Sequence, residues 1–173
     1  LLIVLGGGAA AGYALMTPRQ WMAYQSLSVR DELIGTAQRP GRFVSADQLR
    51  AAQETVRSVA RNKTVIATVL AQLDPPPTYN AEVWPDAEYV EDYGGKVSVT
   101  AANGAEFGQT EILVLSVRES SPERAAQVVA YLTQQLADEL ATLRDLRFGS
   151  MESELESGML VAQEAVDQAS REL

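Results

Sequence analysis

The 173-residue chain contains no histidine and no cysteine. Without imidazole or thiolate there is no Ser-His-Asp or Cys-His nucleophile and no disulfide. Zinc, haem and iron–sulfur sites of the usual ligand types are excluded as well. Acid–base chemistry would fall to carboxylates, Lys or Tyr. The Gly-x4-Gly-Lys-Ser/Thr phosphate loop is also missing. Positive charge is in deficit, with 14 Lys and Arg against 23 Asp and Glu and a net charge of −9. That balance argues against a general nucleic-acid binder. What remains is an ordinary apolar fraction of 46%, enough for one packed core at this length.

The charge is uneven. Residues 1–73 hold eight Lys/Arg and four Asp/Glu, whereas residues 74–173 hold six and nineteen. Leu1 to Thr17 carries no charge and ends at Pro18-Arg19. This stretch reads as the end of an N-terminal transmembrane helix, which needs about 20 apolar residues when whole. Gly8 and Gly12 have the small-xxx-small spacing that lets membrane helices approach closely. Two other readings are open. One is a signal-peptide core with an Ala-rich cleavage zone. The other is a dinucleotide fingerprint at Gly6-x-Gly8-x-x-Ala11, although Pro18 stops the helix that motif must open. Leu1 is not an initiator Met, which predicts residues upstream.

Gln20–Arg30 is rich in aromatic and β-branched residues. Trp21, Ala23, Leu27 and Val29 share one parity, as in a half-buried strand. Asp31–Gly41 reads as a loop. Ser45-x-x-Gln48 is a capping box that opens a helix whose apolar face is Leu49, Ala52, Val56, Val59, Ile66, Leu70 and Leu73. Lys63, in Arg61-Asn62-Lys63-Thr64, skips that face and marks a break or a solvated edge. Asp74-Pro75-Pro76-Pro77 ends the helix as a stiff connector or a polyproline ligand. Residues 74–95 lack a clear period and read as a long loop. Within it Glu88, Glu91 and Asp92 are the dense acids beside aromatics (Trp84, Tyr89, Tyr93). Their spacing does not match a calcium loop. As the paired carboxylates of glycoside hydrolysis they would need a cleft, and a solvated acidic loop is the simpler reading.

Lys96–Ala102 and Thr110–Arg118 read as a hairpin of strands around Asn103–Gly108. The second is apolar on both parities from Ile112 to Leu115 and belongs in the sheet interior. Ser121-Pro122 then supplies an N-cap and a first-turn proline. Ala125, Val128, Val129, Leu132, Leu136, Leu140 and Leu143 form an apolar stripe. It resumes as Met151, Leu155, Met159, Ala162, Val166, Ala169 and Leu173. A helix from Pro122 to Leu173 is about 78 Å long at the usual rise, with acids on its other faces as in a coiled-coil arm. Glu172-Leu173 offers no Gly, Asn or Pro stop signal, so the pattern predicts continuation. The expected architecture is α+β: a small mixed sheet packed with helices near a membrane, plus a long C-terminal amphipathic helix. Its parts are the membrane segment 1–17, the membrane-proximal domain 18–148 and the start of a helical arm, 149–173.

This order, and above all the run Ile112-Leu113-Val114-Leu115-Ser116-Val117-Arg118-Glu119-Ser120-Ser121-Pro122-Glu123-Arg124-Ala125-Ala126, resembles the bacterial polysaccharide co-polymerases, the Wzz-type chain-length determinant family. The run is similar to that family's strand-to-helix junction, a β-run followed by D/S-P-E-x-A-A. Val128–Leu132 sits where its next apolar helical turn falls. Thr17-Pro18 with Tyr24-x-Ser26-x-Ser28-Val29 is similar to the strand after the first membrane helix. Arg61–Leu70 is similar to the second-helix motif. The resemblance implies a non-catalytic, ring-like homo-oligomer anchored in the bacterial inner membrane. Its folded part would be extracytoplasmic, its partner a polysaccharide polymerase or export machinery, with possible contact to the glycan chain. It also implies returning segments, a Pro-rich second membrane helix and, in some relatives, a cytoplasmic tyrosine kinase beyond the residues here. No catalytic, cofactor-binding or metal-binding residue is expected. Other architectures fitting the same pattern are a periplasmic adaptor of an efflux or secretion system and a sensor ectodomain.

Overall fold

A computed structural model describes residues 20–36, 39–41, 43–77, 79–80 and 82–171. The stretch read as a membrane segment, Leu1–Thr17 with Gly8 and Gly12, lies outside the described residues. Among the described residues no helix is long and apolar enough to cross a membrane. The chain forms two compact units, Leu1–Leu136 and Ala137–Leu173. The elements are β1 (Trp21–Ser28), β2 (Asp31–Thr36), β3 (Arg39–Gly41), α1 (Ala46–Ala60), α2 (Lys63–Ala71), α3 (Ala87–Tyr93), β4 (Val97–Ala101), β5 (Ile112–Glu119) and α4 (Pro122–Arg171). This is the expected α+β architecture, with antiparallel pairing throughout where a mixed sheet was expected.

In the first unit the sheet order is β1-β5-β4. The hairpin β4–β5 forms as its turn residues predict, with Asn103 and Gly104 at positive φ. β5 is the central strand, as its apolar content requires. Only one of its faces is sealed, however. Leu113, Leu115, Val117 and Glu119 are buried with Val97, Val99 and Ala101 of β4, while Ile112 is 45% exposed. Strand alternation puts the helices on one face, and among the described residues no helix covers the other, which carries the exposed Ile112 and Arg118. The expected loop over residues 31–41 instead contains the two-stranded β2–β3 sheet.

The helices cover the closed face. Ser45 Oγ accepts the N–H of Gln48 at 3.2 Å and starts α1, satisfying one of the orphan donors of its first turn. The break at Arg61-Asn62 is real. Asn62 Oδ1 accepts the N–H of Thr64 at 2.8 Å and restarts the chain as α2. The buried stripe of α1 is Leu49, Gln53, Val56 and Ala60, so Gln53 and Ala60 take the places expected for Ala52 and Val59. α2 buries Val65, Ile66, Val69 and Leu70. Ser121 caps α4 through the N–H of Arg124 at 3.1 Å. The first turns of α4 bury Ala125, Val128, Val129, Leu132 and Leu136.

Gln53 explains its own burial. It is fully enclosed, and its amide donates to Thr110 O at 2.6 Å and accepts from Gly108 N at 2.7 Å. One side chain on α1 therefore fixes the end of the β4–β5 connection. Gly108 has φ +92, and a Cβ there would lie 2.9 Å from Ala46 O. Gly104 has φ +71 with nothing within 4 Å. Gly108→Ala should cost about 1–3 kcal/mol, since the positive φ is compounded by a backbone clash. Gly104→Ala, carrying only the conformational penalty, should cost about 1–2 kcal/mol. Gln53→Leu, which orphans two backbone groups, should cost about 1–3 kcal/mol. Urea midpoints of the three variants against the parent test these costs, with Gly104→Ala expected to lose no more than Gly108→Ala.

Candidate functional site

The segment that lacked periodicity, residues 74–95, is ordered by its aromatics. Trp84 Nε1 donates to the carbonyls of Leu70 and Leu73 at 3.0 and 2.7 Å at the end of α2, where the Leu70 carbonyl also accepts the Leu73 N–H. Tyr79 packs edge-on against Trp84 and Tyr89 with centroids 4.8 and 5.4 Å apart. Trp84 and Tyr89 meet at 4.9 Å. These are the T-shaped geometries that the ring quadrupole favours. The peptide bond between Trp84 and Pro85 is cis. Asp86 then caps α3, a helix where a loop was expected, by accepting the N–H of Tyr89 at 2.7 Å; it also accepts the Tyr79 hydroxyl at 2.7 Å. Those bonds, the backbone one first, hold its carboxyl below the usual range. Tyr79 is correspondingly raised, by desolvation first and then by its bond to Asp86.

Beneath the aromatics lies a polar centre made of groups that are distant in the sequence. Glu119 is a carboxylate on the buried parity of β5. It accepts the Tyr93 hydroxyl at 2.5 Å and the N–H of Ser120 at 3.2 Å. Arg124 Nε lies 3.4 Å from Glu119 Oε1, with the two side chains 12% and 3% exposed. Arg124 Nη1 donates to the carbonyl of Asp74, and the guanidinium sits 5.4 Å from the Trp84 ring centroid. Its Nε and Nη2 are buried without a hydrogen bond, so Arg124 is held by charge and ring contact more than by aligned bonds. Lys96 Nζ lies 5.2 and 5.0 Å from the centroids of Tyr89 and Tyr93. Burial first, then the bond to Glu119, raises the Tyr93 hydroxyl far above its ordinary pKa. Tyr89 is raised for the same reason, burial leading and the Glu119 charge following.

The aromatics singled out from sequence, Trp84, Tyr89 and Tyr93, therefore do meet. The acids beside them do not join them. Glu88, Glu91 and Asp92 are exposed on α3, and Glu91 pairs at 3.1 Å with Lys63, itself exposed at the start of α2. Among the described residues no group of three Asp or Glu could hold a metal ion. Sequence reasoning missed Glu119 and Arg124 as a pair. The signal was present: Glu119 continues the buried parity of Leu113, Leu115 and Val117, where an unpartnered charge is prohibitive.

Two surfaces remain outside this centre. The first is β1, which pairs with β5 alone among the described elements. The bond from Val29 N to Glu111 O extends the β1–β5 register. It sets the odd residues of β1 against β5, so Met22, Tyr24, Ser26 and Ser28 direct their backbone groups to the free edge. Tyr24 is 73% exposed, and β1 carries no charge. The second is the second unit, in which no described residue from Ala137 to Glu164 is buried.

Removing either member of the Glu119–Arg124 pair leaves a buried charge behind. Arg124→Met should cost about 3–5 kcal/mol and Tyr93→Phe about 1–3 kcal/mol. The raised tyrosines give a signed pH dependence. Their contribution is complete below the unfolded pKa of about 10 and declines as pH rises past it, because the unfolded state loses its protons first. Urea midpoints measured from neutral to strongly alkaline pH should fall above about pH 10, less steeply in Tyr93→Phe. Set beside known proteins, the chain matches no protein-family model and no curated sequence.

Proposed function

We propose that this chain is a non-catalytic, membrane-anchored oligomeric scaffold of the polysaccharide co-polymerase kind, regulating the chain length, polymerisation or export of a surface polysaccharide. The observation that carries the reading is the junction at Ser121. The segment of strongest likeness, residues 112–126, is the central strand of the sheet turned directly into a 50-residue helix. Glu119 and Arg124 lock that turn on either side of the cap. A group placed to brace an element is a structural device, and the buried carboxylate is engaged by Tyr93, Ser120 and the Arg124 charge.

Oligomerisation has its natural seat on β1. An uncharged edge without proline or lysine invites pairing with another strand, and a second copy meets no like charge there. The uncharged stretch Leu1–Thr17 supports a membrane anchor placed immediately before that strand.

In producing cells, deleting this protein should shift or broaden the length distribution of the surface polysaccharide on a gel, and restoring the full chain should restore the mode. An unaltered distribution refutes the reading. Tyr24→Lys and Ser26→Lys lie on exposed positions and should leave stability within about 0.5 kcal/mol. In detergent-solubilised protein both should lower the oligomer mass seen by light scattering and mimic the deletion on the gel. Oligomers of undiminished mass would remove β1 from the assembly.

A further inference from the structure

We infer that the second unit is a docking strip for an amphipathic helix whose apolar seam is flanked by Lys or Arg, supplied by a partner and not by a second copy of this chain. The inference stands on that unit alone and does not depend on the polysaccharide reading.

The helix carries an apolar seam that no described residue covers. Phe148, Met151, Leu155 and Met159 fall within roughly 80° of one another on a helical wheel. Leu155 is 68% and Met159 73% exposed. Single exposed apolar residues are normal, but a run aligned over several turns marks an interaction face. Its borders are charged. Glu152 and Glu156 lie on one side of the seam and Glu154 on the other, the positions that choose partners in helix pairing. Gly158 sits beside the seam, where a Cβ would meet nothing within 4 Å. Glycine costs about 1 kcal/mol in a helix interior, and no neighbour among the described residues requires it. A close approach by an outside helix would.

Charge selects the occupant. From Phe148 to Ser170 there are five acids and no Lys or Arg, so any register that overlays this segment on itself opposes carboxylates along an apolar seam. The flanking cations are Arg144 and Arg147 before the stretch and Arg171 after it, and Arg144 Nε already lies 3.3 Å from Asp145. An anionic membrane surface is disfavoured by the same charge. A basic-flanked helix satisfies the seam and its borders together, with Glu–Lys pairs at the edge tuning choice more than affinity.

The test uses the full chain and two designed heptad peptides with identical Leu seams, one flanked by Lys and one by Glu. By fluorescence anisotropy at low salt the Lys peptide should bind at least about tenfold tighter, an advantage that shrinks as salt screens the borders. Glu152→Lys combined with Glu156→Lys should reverse the preference. Gly158→Leu raises helix propensity yet should weaken the Lys peptide about tenfold, which a folding defect would not explain. Equal binding of both peptides, or binding of neither, overturns the proposal. Self-association that Leu155→Glu abolishes would assign the strip to a second copy and overturn it as well.

Discussion

A single carboxylate, that of Glu119, is the constraint around which the first unit is arranged. It occupies a core-facing position on the central strand, where an unpaired charge could not remain. Three separate elements answer it: the Tyr93 hydroxyl from α3, the N–H of Ser120 at the strand end, and Arg124 from the first turn of α4. Arg124 in turn reaches the Asp74 carbonyl and the face of Trp84, and Trp84 closes the carbonyls at the end of α2. The connection from α2 to α3 is thus positioned by the same charge that positions the strand-to-helix junction. Replacing such a centre with apolar residues of equal volume can be neutral in stability. Its value here is directional, because it specifies where α4 must leave the sheet.

The opposite end of the unit is governed by Gln53 in the same manner. A buried amide on α1 holds both Gly108 and Thr110, so the hairpin connection cannot drift although no residue from Asn103 to Thr110 is buried. Two buried polar side chains, one at each end of β5, define the placement of that strand more narrowly than its apolar contacts alone could. Apolar packing is non-directional, whereas hydrogen bonds have a required geometry. The surfaces left over are correspondingly simple: an uncharged strand edge on β1 and an apolar seam with acidic borders on the second unit.

Much of the fold is legible in the amino-acid sequence. The caps Ser45 and Ser121 announce helix starts because a side-chain oxygen there meets an orphan backbone N–H, whereas at Arg61–Thr64 only the break is legible and the Asn62 cap is seen in the structure. The apolar content of β5 and the three-four spacing of α4 are patterns that burial generates, while the one-faced burial of β5 is seen only in the structure. The segment 74–95 is not legible in this way, since Trp84, Tyr79 and Tyr89 meet only in space, and α3 is too short to show a period. The rotation of the α1 stripe to admit Gln53 is hidden as well. An amide is buried only if its partners are already in place, and both partners lie on a connection 55 and 57 residues away.

Local chemistry, then, determined most of the helices and strands, though not β2, β3 or α3, where α1 and α4 begin, and that negative charge is segregated toward the C-terminal part of the chain. These properties depend on neighbours within a few residues. The order of the sheet, the open face of β5, the free edge of β1 and the meeting of Glu119 with Tyr93 and Arg124 were decided only by the tertiary structure. Each depends on pairings between distant segments, and those are selected by the requirement that every buried charge and amide find its partner at once.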